Sequence, residues 1–366
     1  MALDAGRHVS ILRGTSRSNA REAERLVLAR LDTDLKGLSF PIHVMVEPDA
    51  GKHPSPLIRP HQIPQGISKN RLVPLGNDLF VLTPELTVLL HQQAKTKLQV
   101  AKMMFEACGL FSIVPSTPRV RFVIRELTSH GILAPGRIST SRLSALYDAR
   151  GRRLGFFDDE GEPLEWAPFF DRFGQLTDLW KRPPLTSVEH ILATLNDPGI
   201  SGARGVARAR AALKMVRDGA ASPAEVQAMI LLCSRIWDGG EAWGDPLLNM
   251  RIDFDVTQRL LANQSYCVAD ALWRDMNSVL EINGESAHAD RWGFREHSGR
   301  TAALENAGYS VKEITPSQMA NLEMFDAILP SLADALGFSL QKRTPAFLMR
   351  RDALHRELFG EPYDPF

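Results

Sequence analysis

The sequence predicts a mixed α+β protein, and three observations lead to this fold class. Residues 222–315 read as a helix, three strands, a second helix and a fourth strand. Residues 185–236 have helical periodicity interrupted by turns, and residues 42–81 contain short apolar strands separated by a Pro-, His- and Gly-rich loop. A chain of 366 residues is longer than one core usually holds, so we expect several domains. The first domain is placed at residues 1–110, a mixed α+β region. A connecting region that ends in helices covers residues 111–218, and the last domain covers residues 219–366.

The composition is that of an ordinary globular protein, with 44% apolar and 23% charged residues. Because 43 basic residues balance 43 acidic ones, any affinity for nucleic acid must come from local patches. Three cysteines without CxxC spacing exclude a disulfide framework and a cysteine-only zinc site. We find no apolar run of membrane-spanning length and no signal peptide, so we expect a soluble, cytoplasmic protein.

The elements of the first half are short. Ile42–Val46 and Asn77–Val81 are predicted strands, and Thr83-Pro84-Glu85 has the residue types of a helix N-terminus. That helix should run to about Leu98, and a second should cover Val100–Cys108. The capping residues explain this motif without a function.

A basic segment follows the less readable residues 110–185. Helices are predicted at Thr186–Leu195 and Ala203–Asp218. The second helix carries five basic residues: Arg204, Arg208, Arg210, Lys214 and Arg217. They either contact phosphates or form a solvated helix face.

Ser222-Pro-Ala-Glu225 begins the next helix with capping-box spacing. The box alone explains Glu225, although the same carboxylate could also complete a metal site. Leu247–Phe254 alternates as a strand should, and the chain ends in helices at Gln318–Leu336 and Phe347–Phe359.

Two acids stand out in the apolar strands Tyr266–Leu272 and Ser278–Ile282. If these strands pair about a turn centred between residues 275 and 276, Asp270 lies opposite Glu281, and Asn283 emerges on the same face. Two carboxylates and an amide oxygen suit Mg²⁺ or Mn²⁺. The alternative is a pair of structural acids neutralised by Arg274 or a lysine.

The order of elements and motifs resembles the PD-(D/E)XK nuclease core, in particular the very-short-patch-repair-like (Vsr-like) endonuclease domains. The resemblance covers about a quarter of the chain, and the matching residues are Glu225, Asp270, Trp273, Glu281, Asn283, Gly284, His288, Arg300, Leu304, Gly308, Tyr309 and Val311. It implies a restriction-endonuclease-like α-β-β-β-α-β core, metal ligation by Asp270 and Glu281 with help from Glu225, and Asn283 and His288 beside the attacking water.

This sequence departs from the family pattern at two positions. Asn283 stands where such domains carry Asp or Lys, and an amide is neither a base nor a cation. His297 stands where relatives are often acidic. Either another base acts, with His288, His297 and Lys312 as candidates, or the domain binds nucleic acid without cutting it.

The front half resembles the middle of AbiEi-type antitoxins over HVMVEP, LIRPHQIP and LVPLGNDLFVLTPELTVLLHQQA. This resemblance implies a partner in a defence or toxin–antitoxin system.

Three functions are therefore considered. The first is a Mg²⁺-dependent deoxyribonuclease with Arg204, Arg208, Lys214 and Arg300 on the DNA backbone. The second is a nucleic-acid-binding regulator with the same fold, and the third is an interaction scaffold.

Overall fold

The computed structural model describes most of the second half of the chain and separate parts of the first. The described ranges are residues 42–46, 58–62, 72–76, 79–91, 95–114, 118, 121–122, 144–147, 153–157, 163–164, 167–170, 176–282 and 291–360. Asn283, Gly284 and His288 lie outside them. The described part is a mixed α+β protein with several small sheets and no barrel.

The first half contains short strands and two helices. The elements are β1 (Ile42–Val46), β2 (Ile58–Gln62), β3 (Leu72–Gly76), β4 (Leu79–Leu82), α1 (Pro84–His91), α2 (Lys97–Cys108), β5 (Phe111–Ile113), β6 (Ser144–Tyr147), β7 (Arg153–Phe157), β8 (Pro163–Leu164), β9 (Ala167–Phe170) and β10 (Leu176–Lys181). β1 and β2 pair in parallel, and β3 and β4 form an antiparallel pair. Both predicted helices are present, but the first ends before Leu98. Thr96 opens α2 with its own capping box, so Leu98 belongs to α2 together with the predicted helix Val100–Cys108. Thr83 Oγ1 makes no hydrogen bond within the described residues, so the predicted Thr83 side-chain cap is wrong.

Helices dominate the second half around one four-stranded sheet. The elements are α3 (Val188–Asn196), α4 (Val206–Leu213), α5 (Pro223–Cys233), β11 (Leu247–Asp253), α6 (Val256–Ala262), β12 (Tyr266–Trp273), β13 (Ser278–Ile282), α7 (Arg291–Asn306), β14 (Ser310–Ile314), α8 (Pro316–Ala320), α9 (Leu322–Leu336) and α10 (Pro345–Phe359). The sheet order is β11-β12-β13-β14. The first three strands are antiparallel, and β14 joins in parallel through the α7 crossover.

The predicted hairpin register is confirmed. Ala271 pairs with Leu280, and Trp273 pairs with Ser278, about a turn in which Asn277 adopts φ 46°. The helix α6 was not predicted from the sequence, although Asp255 and Gln258 form a capping box at its start.

The predicted helix over Ala203–Asp218 is shorter than expected. α4 spans only Val206–Leu213, since Gly205 before it has the left-handed φ of 95° and Lys214 caps its end. Arg204 and Arg217 therefore lie outside this helix.

Two clusters of buried side chains cover the faces of the large sheet. The larger cluster extends along the chain from Leu86 to Leu358, so residues on both sides of position 218 share it. The division into domains stays a prediction. The smaller cluster packs α6 and α7 against the other face, with Ala303 and Leu304 from α7. Trp273 lies in the larger cluster, where its ring meets Phe338 edge to face at 5.3 Å, so its burial has a structural reason.

Gly299 allows α6 and α7 to approach closely. A Cβ at this position would lie 2.6 Å from the carbonyl oxygen of Leu261. Alanine normally stabilises a helix interior relative to glycine, but here we expect Gly299→Ala to lower the unfolding free energy by about 2 kcal/mol. Urea denaturation measures the change.

Gly202→Ala is the matched control, because nothing lies within 4 Å of its added Cβ. Equal effects of the two substitutions would contradict the close contact between α6 and α7.

Candidate acidic site

A polar row crosses the four-stranded sheet. Asn249 and Asp270 lie between the paired residues Leu248–Ala271 and Met250–Ala269 of β11 and β12. Continuing the β12–β13 register one step beyond Ala271–Leu280 places Asp270 beside Glu281. Glu281 in turn pairs with Glu313 of β14. These four residues, Asn249, Asp270, Glu281 and Glu313, are called the polar row below. Its two outer members were not predicted from the sequence. Asn249 falls on the polar side of its strand's alternation, together with Arg251 and Asp253, so no local pattern distinguishes it.

At Asn249 and Asp270, the side chains of β11 and β12 change the sheet face to which they point. Leu248 and its partner Ala271 lie in the larger core, whereas Met250 and its partner Ala269 lie in the smaller one. Residues two apart on a regular strand point to the same face, so both strands are irregular between these pairs. On β11 the irregularity is the left-handed φ of 50° at Asn249.

Asp270 lies where the paired ladder of β12 and β13 ends. The last residues paired in this ladder are Ala271 and Leu280, and Asp270 Oδ2 accepts a hydrogen bond of 2.7 Å from the backbone N–H of Ile282. The Asp270 carboxylate thus acts as the acceptor for a backbone N–H of β13, at the point where the strand pairing ends. Asp270 follows the predicted register, but its side chain reaches toward the backbone of β13.

Glu225 is buried and bonded through both carboxylate oxygens. Oε1 accepts from the Ser222 hydroxyl at 2.8 Å, and Oε2 accepts from the Ala221 N–H at 2.7 Å. Asn249 Nδ2 donates to Oε2 at 2.6 Å. Ser222 is the N-cap of α5 as predicted, since its hydroxyl accepts from the Glu225 N–H. The predicted Ser222 cap is therefore confirmed, but the Glu225 carboxylate accepts from the Ala221 N–H and the Ser222 hydroxyl and not from the Ser222 N–H, so the reciprocal half of the capping box does not form. Asn249 ties Glu225 to the polar row.

Glu281 forms an ion pair with Arg300 of α7. Its side chain is 2% exposed, and Oε2 lies 2.5 Å from Arg300 Nη2. Burial lowers the pKa of the Arg300 guanidinium, but the charges of Glu281 and Asp270 more than compensate, so its pKa lies above the ordinary value. The alternative considered for this acid pair was neutralisation by Arg274 or a lysine, whereas the cation beside Glu281 is Arg300.

Asp270 is the acid of this site whose negative charge is least stabilised. Burial, then the charges of Glu281 and Glu225, raise the pKa of its carboxyl group well above the ordinary value. The Ile282 hydrogen bond and Arg300 act in the opposite direction without reversing the shift. Nearby, burial raises the pKa of the Cys267 thiol to about 12, which keeps it a neutral thiol at physiological pH. The structure thus brings Glu225, Asp270 and Glu281 within electrostatic reach of one another.

The remaining candidates for the site are Asn283, His288, His297 and Lys312. Asn283 and His288 lie outside the described residues, and His297 belongs to α7 with its side chain outside the description. Lys312 pairs with Leu280, which faces the larger core, so Lys312 points to the sheet face opposite Glu281.

The basic residues of the connecting region lie largely at the surface. Arg204, Arg208 and Lys214 are exposed, and Arg208 donates to the carbonyl oxygen of Lys95 at 2.6 Å. Arg217 is bonded to backbone carbonyls and to Asp245. Contact of these residues with nucleic acid stays a prediction.

No set of three His, Cys, Asp or Glu side chains in the described ranges is grouped as a metal site requires. The chemistry of the hairpin pair nevertheless fits a hard cation. Asp270 and Glu281 are oxygen ligands, and a divalent ion would relieve the repulsion that raises the Asp270 pKa. Glu225 fits less directly, since three protein donors already hold it.

Searches against family models, curated proteins and solved structures found no match for this chain. Of the helices that the structure describes, none has the length and apolar character needed to cross a membrane.

The raised Asp270 pKa predicts a pH-dependent stability. The folded state holds the Asp270 proton more tightly than the unfolded state. Ionisation of Asp270 therefore lowers the unfolding free energy by an amount that is absent below the pKa of the unfolded state and grows until the pH exceeds that of the folded state. We expect Asp270→Asn, which keeps an acceptor for Ile282, to raise the unfolding free energy by about 1 kcal/mol at pH 7.5. This gain should shrink toward pH 4, as measured by urea denaturation.

Asp253→Asn provides the control on the same sheet, because Asp253 is exposed and paired with Arg251. A gain from Asp270→Asn that stays constant with pH would contradict the assignment.

Proposed function

We propose that the chain is a metal-dependent phosphodiesterase that hydrolyses DNA, built on a Vsr-like PD-(D/E)XK core. The observation that carries this proposal is the meeting of Asp270 and Glu281 beside Glu225, at the end of the β12–β13 pairing. Their elements follow one another as helix, three strands, helix and strand, with α6 inserted after the first strand. Buried acids placed side by side are costly without a cation, and such costs are typical of functional sites.

Asp270 and Glu281 are the proposed metal ligands. Mg²⁺ or Mn²⁺, when bound, supplies charge stabilisation of the phosphate and lowers the pKa of a bound water. Asp270 is already oriented by the Ile282 N–H. Glu225 stays on Asn249 and Ser222, from where its negative charge strengthens the attraction of the pair for a cation.

Arg300 has two roles in this proposal. Without a cation its guanidinium neutralises Glu281, and with one bound the same guanidinium becomes available to a DNA phosphate. Arg300 is suited to this exchange because its side chain is 27% exposed, whereas that of Glu281 is 2% exposed. Guanidinium groups bind phosphate oxygens with well-defined geometry.

Arg204, Arg208 and Lys214 are the further proposed contacts to the DNA backbone. They are exposed, and a chain with zero net charge needs such local groups to hold a polyanion. The AbiEi-like segments of the front half support a further proposal, a protein partner in a defence or toxin–antitoxin system.

One observation favours a second function, a nucleic-acid-binding module that does not cut. The Arg300–Glu281 ion pair balances one acid of the site with a charge from the protein itself. Such a site keeps its fold without a metal, and the amide at position 283 lacks the base or cation of the family pattern.

Cleavage of supercoiled plasmid and of labelled duplex oligonucleotides separates the two functions. With Mg²⁺ or Mn²⁺ we expect nicked or linear products, and none with EDTA. Asp270→Asn and Glu281→Gln should each lower the cleavage rate by at least about 100-fold, since losing a charged ligand removes several kcal/mol of transition-state stabilisation.

Asp253→Asn, on the same sheet but exposed, should cut at the wild-type rate. Cleavage that survives both site substitutions would overturn the assignment. Absence of cleavage together with salt-dependent DNA binding would establish the binding module instead, and absence of both would leave neither function standing.

A further inference from the structure

One tryptophan side chain lies at the surface, in the segment between α5 and β11. Trp237 is the middle residue of a 3-10 turn, Ile236–Asp238, and it is 74% exposed. The other tryptophans whose side chains the structure describes, Trp180, Trp243 and Trp273, are buried or half-buried. An aromatic side chain removes roughly 150–250 Å² of surface from water when it is buried, so an indole left in solvent is an unused contact surface.

The turn that carries Trp237 is fixed in place by its packing on α10. The Gly239 N–H donates to the carbonyl oxygen of Ile236 at 3.1 Å, and Arg350 Nε of α10 donates to the same oxygen at 3.3 Å. Gly239 has the left-handed φ of 92°, and a Cβ there would lie 2.6 Å from the carbonyl oxygen of Arg350. The exposure of Trp237 is therefore a property of a held turn, and its backbone needs little further ordering when a partner binds.

Two guanidinium groups accompany the indole ring. That of Arg350 lies over the ring, 5.5 Å from its centroid, and Nε is its only nitrogen that hydrogen-bonds within the described residues. Arg235 uses one edge of its guanidinium, Nε and Nη2, for Asp238, and its side chain is 48% exposed. Asp238, the acid of the turn, also forms an ion pair with Lys97. The solvent-facing surface around Trp237 is thus aromatic and cationic.

We propose that Trp237 stacks on an unpaired nucleobase, with Arg235 and Arg350 on the neighbouring phosphates. Stacking on an aromatic side chain is available to every base, since each has a π-face, and guanidinium groups bind phosphate oxygens. A ring this exposed suits a planar base, whereas the anchor residues of protein–protein interfaces lie in well-packed, desolvated surroundings.

The preferred ligand is a single-stranded or locally opened nucleic acid, because bases in a duplex are already paired and stacked on one another. This inference rests on the proposed function in one respect, that both take nucleic acid as the partner. It adds the unpaired state of the strand and a contact surface on the α5–β11 segment and α10.

Two short fluorescein-labelled single strands of equal length test the proposal on the full-length chain. One is oligothymidylate, and the other has the same phosphates but abasic sugars. Binding is measured by fluorescence anisotropy with EDTA present, so that no strand is cleaved. We expect Trp237→Ala to weaken binding of oligothymidylate about ten-fold, the effect of one stacked base, and binding of the abasic strand less than about two-fold. Trp237→Phe should keep most of the affinity, because it retains an aromatic face.

Arg350→Gln should weaken binding of both strands alike and lower the salt dependence by about one phosphate contact. Leu260→Ala is the matched control for Trp237→Ala, because Leu260 is an equally exposed apolar residue but lies on α6. It should bind both strands as the wild type does. Each variant is first shown by urea denaturation to unfold cooperatively.

Oligothymidylate binding that is unchanged in Trp237→Ala would overturn the stacking, even in a protein that cleaves plasmid as proposed above. Equal weakening of both strands by Trp237→Ala would also overturn it, since the ring would then act on the backbone. A loss confined to oligothymidylate would support the surface, even in a protein that cuts no DNA. Failure of the wild type to bind either strand would overturn nucleic acid as the ligand of this surface.

Discussion

The burial of two carboxylates, those of Glu225 and Glu281, is the constraint on which the arrangement of the large sheet depends. A buried carboxylate must keep hydrogen bonds or a counter-ion, because transfer from water to the interior is otherwise prohibitively costly. Glu225 obtains three donors from Ala221, Ser222 and Asn249. Glu281 obtains Arg300. The left-handed turn at Asn249 and the placement of α7 follow from these two requirements.

Asp270 is the carboxylate that this arrangement stabilises least. One backbone N–H supports it, while two neighbouring acids and burial oppose its charge. A protein that needed only a stable sheet would gain from an amide here. The unfavourable carboxylate is therefore the strongest reason to propose that the polar row is a site, and Arg300 offsets the charge of Glu281 within the fold.

Much of this region was predictable from local patterns. The turn between residues 273 and 277 sets the hairpin register, and capping residues such as Ser222 mark the helix starts, because both depend on neighbours in the sequence. The ion pair of Glu281 with Arg300 joins residues nineteen positions apart, and the bond of Asn249 to Glu225 joins residues twenty-four apart. No local pattern encodes such contacts. The same is true of the contact between Trp237 and Arg350, which come from two segments far apart in the chain.

The sequence by itself determined the α+β class, the order of elements from residue 222 to residue 315 apart from α6, and the register that brings Asp270 beside Glu281 across one hairpin. Periodicity and turn chemistry act over a few residues, so they can be read along the chain. The tertiary structure alone decided which donors hold Glu225, which cation balances Glu281 and where both strands change face. Those outcomes depend on helices packing over the sheet, and packing brings together residues that the sequence keeps far apart.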